Sequence, residues 1–452
     1  MNKKLLAILA APVVVISAAL AAGITPKYLA NAPEVATGIG ARLACSMHYV
    51  MEQDPEQIAK DIKVYSPMLA YLDYEYDPEN KSVSARIAGV ERSASWLPKI
   101  GCALNYEGIE RPETAWVRDF TVKAAAPWPH GYEVSTINPA MQTKLDSMLI
   151  EDNKLGMDTR ALLVVHQGKI VAESYAEGYD ESSLFLGWSM SKSITALLTG
   201  WMVQQGKMNV LEMALFPEWM NDERRTISIM NLLQMTDGLA YDEVYSPGET
   251  APAMLFQSPD VTDYMLSLPL RHTPGEHYNY SSGSTNLVMK LIQQRLARDP
   301  YEAIQIIDSK FFKPLGLDSF IYETDSHGTL MGSAYMYANA RDWAKIGQLM
   351  LNGGHLNNYY VVTPEWVRES LQVNASINQQ NFGYNWWLNQ PQTRWKDLAP
   401  TAYTAKGNRE QRVMVLPDHE LVIVRLGWSP DDYRDNDNAV EIISWLAESE
   451  KD

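Results

Sequence analysis

Gly187-Trp188-Ser189-Met190-Ser191-Lys192-Ser193-Ile194-Thr195, continued by Ala196-Leu197-Leu198-Thr199-Gly200-Trp201-Met202-Val203, reads as a serine entering a helix with a lysine one turn later. Residues three apart on an α-helix share a face, so the Lys192 amine can reach the Ser189 hydroxyl. A hydroxyl beside an amine pairs a nucleophile with a base. Two ordinary explanations compete with that chemistry. Serine is a common helix N-cap, and about one Ser-x-x-Lys arises by chance in a chain of this length and composition. The remainder of the chain decides between them.

Upstream, residues 137–155 read as a helix, with Met141, Leu145, Met148 and Leu149 at helical spacing. Ala161 to His166, a Gln167-Gly168 turn and Lys169 to Tyr175 read as a β-hairpin. A helix, an antiparallel hairpin and an apolar helix opening at Ser189 predict an α+β fold. The nucleophile elbow G-x-S-x-G is the competing serine motif, but Ser191 stands where its second glycine belongs and no regular β-α series surrounds it. No His or Asp sits in a recognisable triad context, and His166 reads as a structural residue of an apolar strand. Ile194, Leu197, Leu198, Trp201 and Met202 mark a core helix. Burial of that helix would strip protons from Lys192, while its N-terminal dipole would favour negative charge near Ser189.

Downstream, residues 226–239 read as a helix with a serine cap and a glycine stop. Pro274-Gly275 then opens a turn leading through Tyr278, Tyr280, Ser281 and Ser282 to a helix expected from Leu287 to Ala297. Val413 to Leu416 and Leu421 to Leu426 form a second predicted hairpin around Pro417-Asp418-His419-Glu420.

The ends and the whole set further bounds. Lys3 and Lys4 precede an uncharged, mostly apolar run from Leu5 to Ala22 containing Ala19-Leu20-Ala21, so residues 1–22 read as a signal peptide or an uncleaved membrane anchor. Either places the rest of the chain outside the cytoplasm, periplasmic or extracellular. Cys45 and Cys102 are the only cysteines and are expected to pair there as a disulfide. A formal charge of −17 disfavours nucleic acid as a partner. The eight histidines show no H-E-x-x-H spacing, so no metal and no other cofactor is implied. Residues 33–129 hold no motif with chemistry in it; the acidic aromatic run Tyr71-Leu72-Asp73-Tyr74-Glu75-Tyr76-Asp77 lacks the spacing of a calcium loop and reads as a solvated strand edge or loop. Ala124-Ala125-Ala126-Pro127-Trp128-Pro129-His130-Gly131 reads as a linker, giving an N-terminal extension over 23–130 and a main domain over 131–452.

Taken together, Ser-x-x-Lys at a helix start, Leu-Leu-x-Met-Thr-x-Gly-Leu and Pro-Gly-x-x-x-x-Tyr-Ser before another helix resemble, in content and order, the serine β-lactamase and penicillin-binding-protein superfamily. The resemblance covers about residues 143–447. It lies nearest the class C β-lactamase-like branch holding esterases and 6-aminohexanoate-dimer hydrolases, to which Met331-Gly332-Ser333-Ala334-Tyr335, Ala340 to Gly347 and Phe382 to Trp387 also bear likeness. It implies an antiparallel sheet flanked by helices with an all-helical lobe. It implies Ser189 as nucleophile, Lys192 as its base and Tyr280 as the proton shuttle, with Tyr278 a nearby rival. Ala405-Lys406-Gly407 matches the third motif, so the resemblance implies an oxyanion hole from the N–H groups of Ser189 and Asn408, with Gly407, Lys406 and Ser282 lining the substrate site. Two departures stand out. Ser282 occupies the asparagine place of Tyr-x-Asn, and Lys406 sits one place late in the Lys-Thr-Gly pattern. Both favour a small ester or linear amide over a β-lactam as substrate. A β-lactamase, a D,D-peptidase and a non-catalytic peptidoglycan-binding protein of the same fold are the alternatives.

Overall fold

The computed structural model of the protein describes residues 25–110, 126–356, 358–430 and 432–449. The expected leader lies outside the described residues, none of which forms a helix long and apolar enough to cross a membrane. Thr25 caps α1 (Pro26–Tyr49) by accepting the Tyr28 N–H at 3.0 Å, with Pro26 in the first turn, where its missing N–H costs nothing. The second half of α1 is buried, and after the short α2 (Pro55–Ile62) it packs on an antiparallel meander of β1 (Asp73–Asp77), β2 (Ser82–Ile87), β3 (Val90–Leu97) and β4 (Gly101–Leu104). The acidic aromatic run is β1, an edge strand with its charged side chains toward solvent, as its composition suggested. Cys45 on α1 and Cys102 on β4 form the expected disulfide, with Cα atoms 6.1 Å apart.

This N-terminal layer shares its core with the rest of the molecule. Two buried ion pairs join them: Arg42 to Glu323 at 3.6 Å and Asp61 to Arg160 at 2.7 Å. Glu323 also accepts hydrogen bonds from the Ser46 hydroxyl and the Cys102 N–H. The sequence read as a linker is packed where it is described: Trp128 is buried and donates to the Arg341 carbonyl, and just past the stretch the buried Tyr132 donates to the Asp342 carboxylate. Small residues and prolines there permit a tight crossing rather than a free tether; residues 124 and 125 lie outside the described residues.

The main sheet follows the predicted pattern. Asn138 caps α3 (Pro139–Lys154), whose buried Met141, Leu145, Met148 and Leu149 cover one face of the hairpin β5 (Thr159–His166) and β6 (Lys169–Tyr175). Gln167 and Gly168 both adopt positive φ, as a two-residue hairpin turn requires. β7 (Phe185–Leu186) then leads to α4 (Met190–Gln204), which is buried from Met190 through Met202 and so is apolar on every side.

Two helices differ from expectation. The 226–239 stretch holds only α5 (Ile229–Leu233), started by a capping box between Ser228 and Asn231. Met235 turns to φ 56°, and the carbonyls of Met235 and Thr236 accept the N–H groups of Asn279 and Gly275 instead of continuing a helix. After α6 (Val261–Leu266), α7 (Ser282–Leu296) starts five residues before the predicted Leu287, because Ser281 accepts the Ser284 N–H at 3.0 Å as a cap. With α8 (Pro300–Ile307) these helices form the helical lobe around α7.

β9 (Met336–Ala338) pairs with β7 on one side and with β8 (Ile321–Tyr322) on the other, then α9 (Ala340–Leu351) crosses the inner face of the main sheet and α10 (Pro364–Ser370) follows. The chain closes with β10 (Trp387–Leu388), β11 (Tyr403–Gly407), β12 (Gln411–Leu416), β13 (Leu421–Gly427) and α11 (Asp435–Ser449). The resulting six-stranded antiparallel sheet has the order β10-β11-β12-β13-β5-β6, with α3 and α11 outside and α4 and α9 inside. Ser189 therefore lies at the junction of sheet and helical lobe.

Candidate active site

Ser189 precedes α4 in the cap position but its side chain caps nothing. Its Oγ meets Lys192 Nζ at 2.9 Å, and the Tyr280 side chain lies beside the pair. The turn that presents it is strained: Trp188 has φ 48°, a left-handed conformation uncommon for a bulky residue. Trp188 is held there by Tyr335, Trp428 and Tyr65, with ring centroids 5.6, 6.0 and 5.8 Å away. Tyr65 comes from the N-terminal layer, so that layer buttresses the residue beside Ser189.

Lys192 is buried and makes two further hydrogen bonds, to Ser282 Oγ at 3.0 Å and to the Ser333 carbonyl at 2.9 Å. Burial drives its pKa down to about 8, against an opposing pull from the Glu243 carboxylate. Tyr280 lies beside it, with Nζ 5.0 Å from the ring centroid. Burial first and Glu243 second raise the Tyr280 pKa. The Tyr280 ring stacks on Trp387 at 5.4 Å and meets Phe382 edge-on at 6.0 Å. Tyr278 packs on the Phe382 ring at 5.5 Å, leaving Tyr280 as the tyrosine that meets both Ser189 and Lys192.

The third motif divides. A Cβ on Gly407 would lie 2.1 Å from the Gly187 carbonyl oxygen, so only glycine lets β11 end against the turn that carries Ser189. Asn408 follows directly. Lys406 points the other way: it pairs across the ladder with Arg412, on the outer face, and its Nζ lies 3.5 Å from Glu410. Alternation along a strand explains this, because Ala405 and Lys406 must face opposite sides. Lys406 thus takes the face of β11 opposite the one that Gly407 sets against the Ser189 turn.

Three contributors carried no sequence signal. Glu243, in the irregular loop 241–245, accepts from the Ser282 N–H at 2.7 Å and from Ser282 Oγ at 2.5 Å. Tyr245 donates to the same carboxylate at 2.6 Å. The Ser333 carbonyl is a backbone group, which no side-chain pattern reveals, although its segment was one of those bearing family likeness. Among the described residues no group of three or more His, Cys, Asp or Glu could hold a metal ion.

A sequence model described as "Beta-lactamase" matches residues 145–441. The chain belongs to the β-lactamase family. Among the family's curated proteins, the 6-aminohexanoate-dimer hydrolase of Paenarthrobacter ureafaciens is 25% identical over 230 residues, covering 47% of this chain and 57% of that one. The chain thus spans little more than half the length of this relative. A family VIII carboxylesterase superimposes with a TM-score of 0.54 at 15% identity, covering 69% of this chain and 98% of the other. A class C β-lactamase mutant does so with a TM-score of 0.52 at 14% identity, covering 70% and 100%. At those identities the two structures share the fold, which is the α+β arrangement read from the sequence. The family match begins after the N-terminal layer, so the buttress from Tyr65 lies outside it.

Proposed function

We propose that this protein is an exported serine hydrolase that cleaves a small ester or linear amide through an acyl-enzyme on Ser189. The observation that carries this reading is the 2.9 Å contact between Ser189 Oγ and a lysine whose burial brings its pKa to about 8. Neutral Lys192 takes the Ser189 proton as Oγ bonds to the substrate carbonyl carbon. The carbonyl oxygen gains negative charge beside the N–H groups of Ser189 and Asn408. As the tetrahedral species collapses, the bond to the leaving group breaks, Tyr280 gives that group a proton, and Lys192 returns its own proton to Tyr280. Water then attacks the acyl carbonyl, losing its proton along the same route, and Ser189 leaves with its hydroxyl restored.

Ester or linear amide chemistry is favoured by the two departures from the lactam pattern. Ser282 holds Lys192 where an asparagine amide would face substrate, and Lys406, one place late in the motif, pairs with Glu410. The names of the carboxylesterase and the 6-aminohexanoate-dimer hydrolase agree with that preference. Export is supported by the apolar N-terminal run and by the Cys45–Cys102 disulfide, which an oxidising compartment would maintain. The test is labelling by a fluorophosphonate followed by peptide mass spectrometry. The expected adduct is on Ser189; an adduct elsewhere, or none while a p-nitrophenyl ester is being turned over, would defeat the reading.

A further inference from the structure

The loop 241–245 brings a carboxylate onto Ser282, the other hydroxyl that Lys192 meets. Both oxygens of Glu243 are occupied as acceptors: Oε1 receives the hydroxyls of Ser282 and Tyr245, at 2.5 and 2.6 Å, and Oε2 receives the Ser282 N–H at 2.7 Å. A carboxylate can only accept, so the Ser282 O–H must point at Glu243 and leave its lone pairs for Lys192. The Ser333 carbonyl likewise can only accept.

Neutral lysine has two N–H bonds and one lone pair. Around Lys192 Nζ stand Ser333 O at 2.9 Å, Ser282 Oγ at 3.0 Å and Ser189 Oγ at 2.9 Å. Two of these neighbours are obliged to accept, and they consume both N–H bonds. Only the lone pair is left for Ser189, whose hydroxyl must then be the donor. Without Glu243, the Ser282 hydroxyl is free to rotate and donate to that lone pair, turning an N–H toward Ser189 and removing the base from its proton.

We propose that Glu243 is a positioning residue which, through Ser282, fixes the direction of the hydrogen bonds around Lys192 so that the amine lone pair faces the Ser189 hydroxyl. This rests on the reading of Lys192 as the base for Ser189. The titratable groups facing Lys192 are Glu243, from the loop after α5, and Tyr280, from the loop before α7. Of these, Glu243 raises the proton affinity that burial lowers. It therefore fixes the direction of the hydrogen bonds and, against the larger effect of burial, raises the pH at which the amine becomes free.

Glu243→Gln tests this, because an amide of the same shape has one acceptor where Ser282 presents two donors. Its NH2 group would face either the N–H or the O–H. The expected result is a fall of about tenfold or more in kcat on a p-nitrophenyl ester. The acid limb of kcat/KM should move about one pH unit lower, since loss of a nearby negative charge disfavours the ammonium. Glu243→Asp, which keeps the charge, should hold the limb near its original position. Ser282→Ala should lower kcat by a similar factor, and combining it with Glu243→Gln should add little, because the two act as one unit. An unmoved limb in Glu243→Gln, an undiminished kcat, or additive losses in the double variant would each overturn the proposal. Fluorophosphonate labelling separates this from failure of the parent reading: unlabelled Ser189 in the wild type would defeat the base assignment, whereas labelled Ser189 with any of those three results defeats the role of Glu243.

Discussion

Lys192 Nζ and Ser189 Oγ lie 2.9 Å apart on consecutive turns at the start of α4, in a setting where burial holds the lysine near pKa 8. The pH dependence follows directly. In the proposed reaction the neutral amine is the working form, and at pKa 8 it makes up about a tenth of the protein at pH 7 and about half at pH 8. Activity should therefore rise with pH through an apparent pKa near 8, measured as kcat/KM on a neutral ester. Lys192→Ala should cost about a hundredfold or more in turnover and abolish that limb. A folded Lys192→Ala variant with an unchanged rate would point to a different base.

Tyr280 lies beside Ser189 and sets its ring against Lys192, which suits a group passing protons between base and leaving group. Leaving groups differ in their need for that proton. A p-nitrophenolate departs as an anion, whereas an amine must be protonated as it leaves. Tyr280→Phe should thus lower the turnover of a linear anilide or amide by at least about tenfold more than that of a p-nitrophenyl ester. Equal losses on both substrates would assign Tyr280 to packing against Trp387 and Phe382.

Gly407 sets how closely β11 approaches the nucleophile. With 2.1 Å between an added Cβ and the Gly187 carbonyl oxygen, Gly407→Ala must push the strand end and Asn408 away from Ser189. Loss of one oxyanion donor is worth about 100-fold to 1,000-fold in kcat. The expected phenotype is a fall of that size with nearly unchanged KM and an intact circular dichroism spectrum. Retention of full activity would remove Asn408 from the oxyanion site.

Much of this was legible in the chain because it is written in local signals. Asn138 before Pro139, the Gln167-Gly168 turn and the apolar surround of α4 each fix an element through short-range physics, and the structure follows them. The Ser-x-x-Lys pair was equally visible, since helical periodicity alone brings it together. What stayed hidden depends on contacts distant in sequence. The 226–239 helix ends early, and the N–H groups of Gly275 and Asn279 take the carbonyls of Thr236 and Met235. Glu243 reaches Ser282 from an irregular loop, with no periodicity to mark it. The motif match counted positions along the strand, and which face Lys406 takes shows only in the ladder.

The N-terminal layer gives the last expectation. Its motif-free sequence reads as a separate extension, yet Arg42 and Glu323 meet between it and the family domain, with side chains 2% and 0% exposed. Removing one member of such a pair leaves the other charged and buried, a loss of about 3 kcal/mol or more. In Glu323→Ala the stranded group is Arg42, whose guanidinium also lies 3.9 Å over the Tyr335 ring that braces Trp188. Urea unfolding should show the midpoint falling with the slope nearly unchanged, as one cooperative unit loses stability. Ester turnover should disappear across the same urea range, because the contact path from α1 through Tyr335 and Trp188 ends at Ser189. An early transition confined to the N-terminal layer, with turnover surviving it, would show instead that the layer is a separable domain and that the buttress beside Ser189 is dispensable.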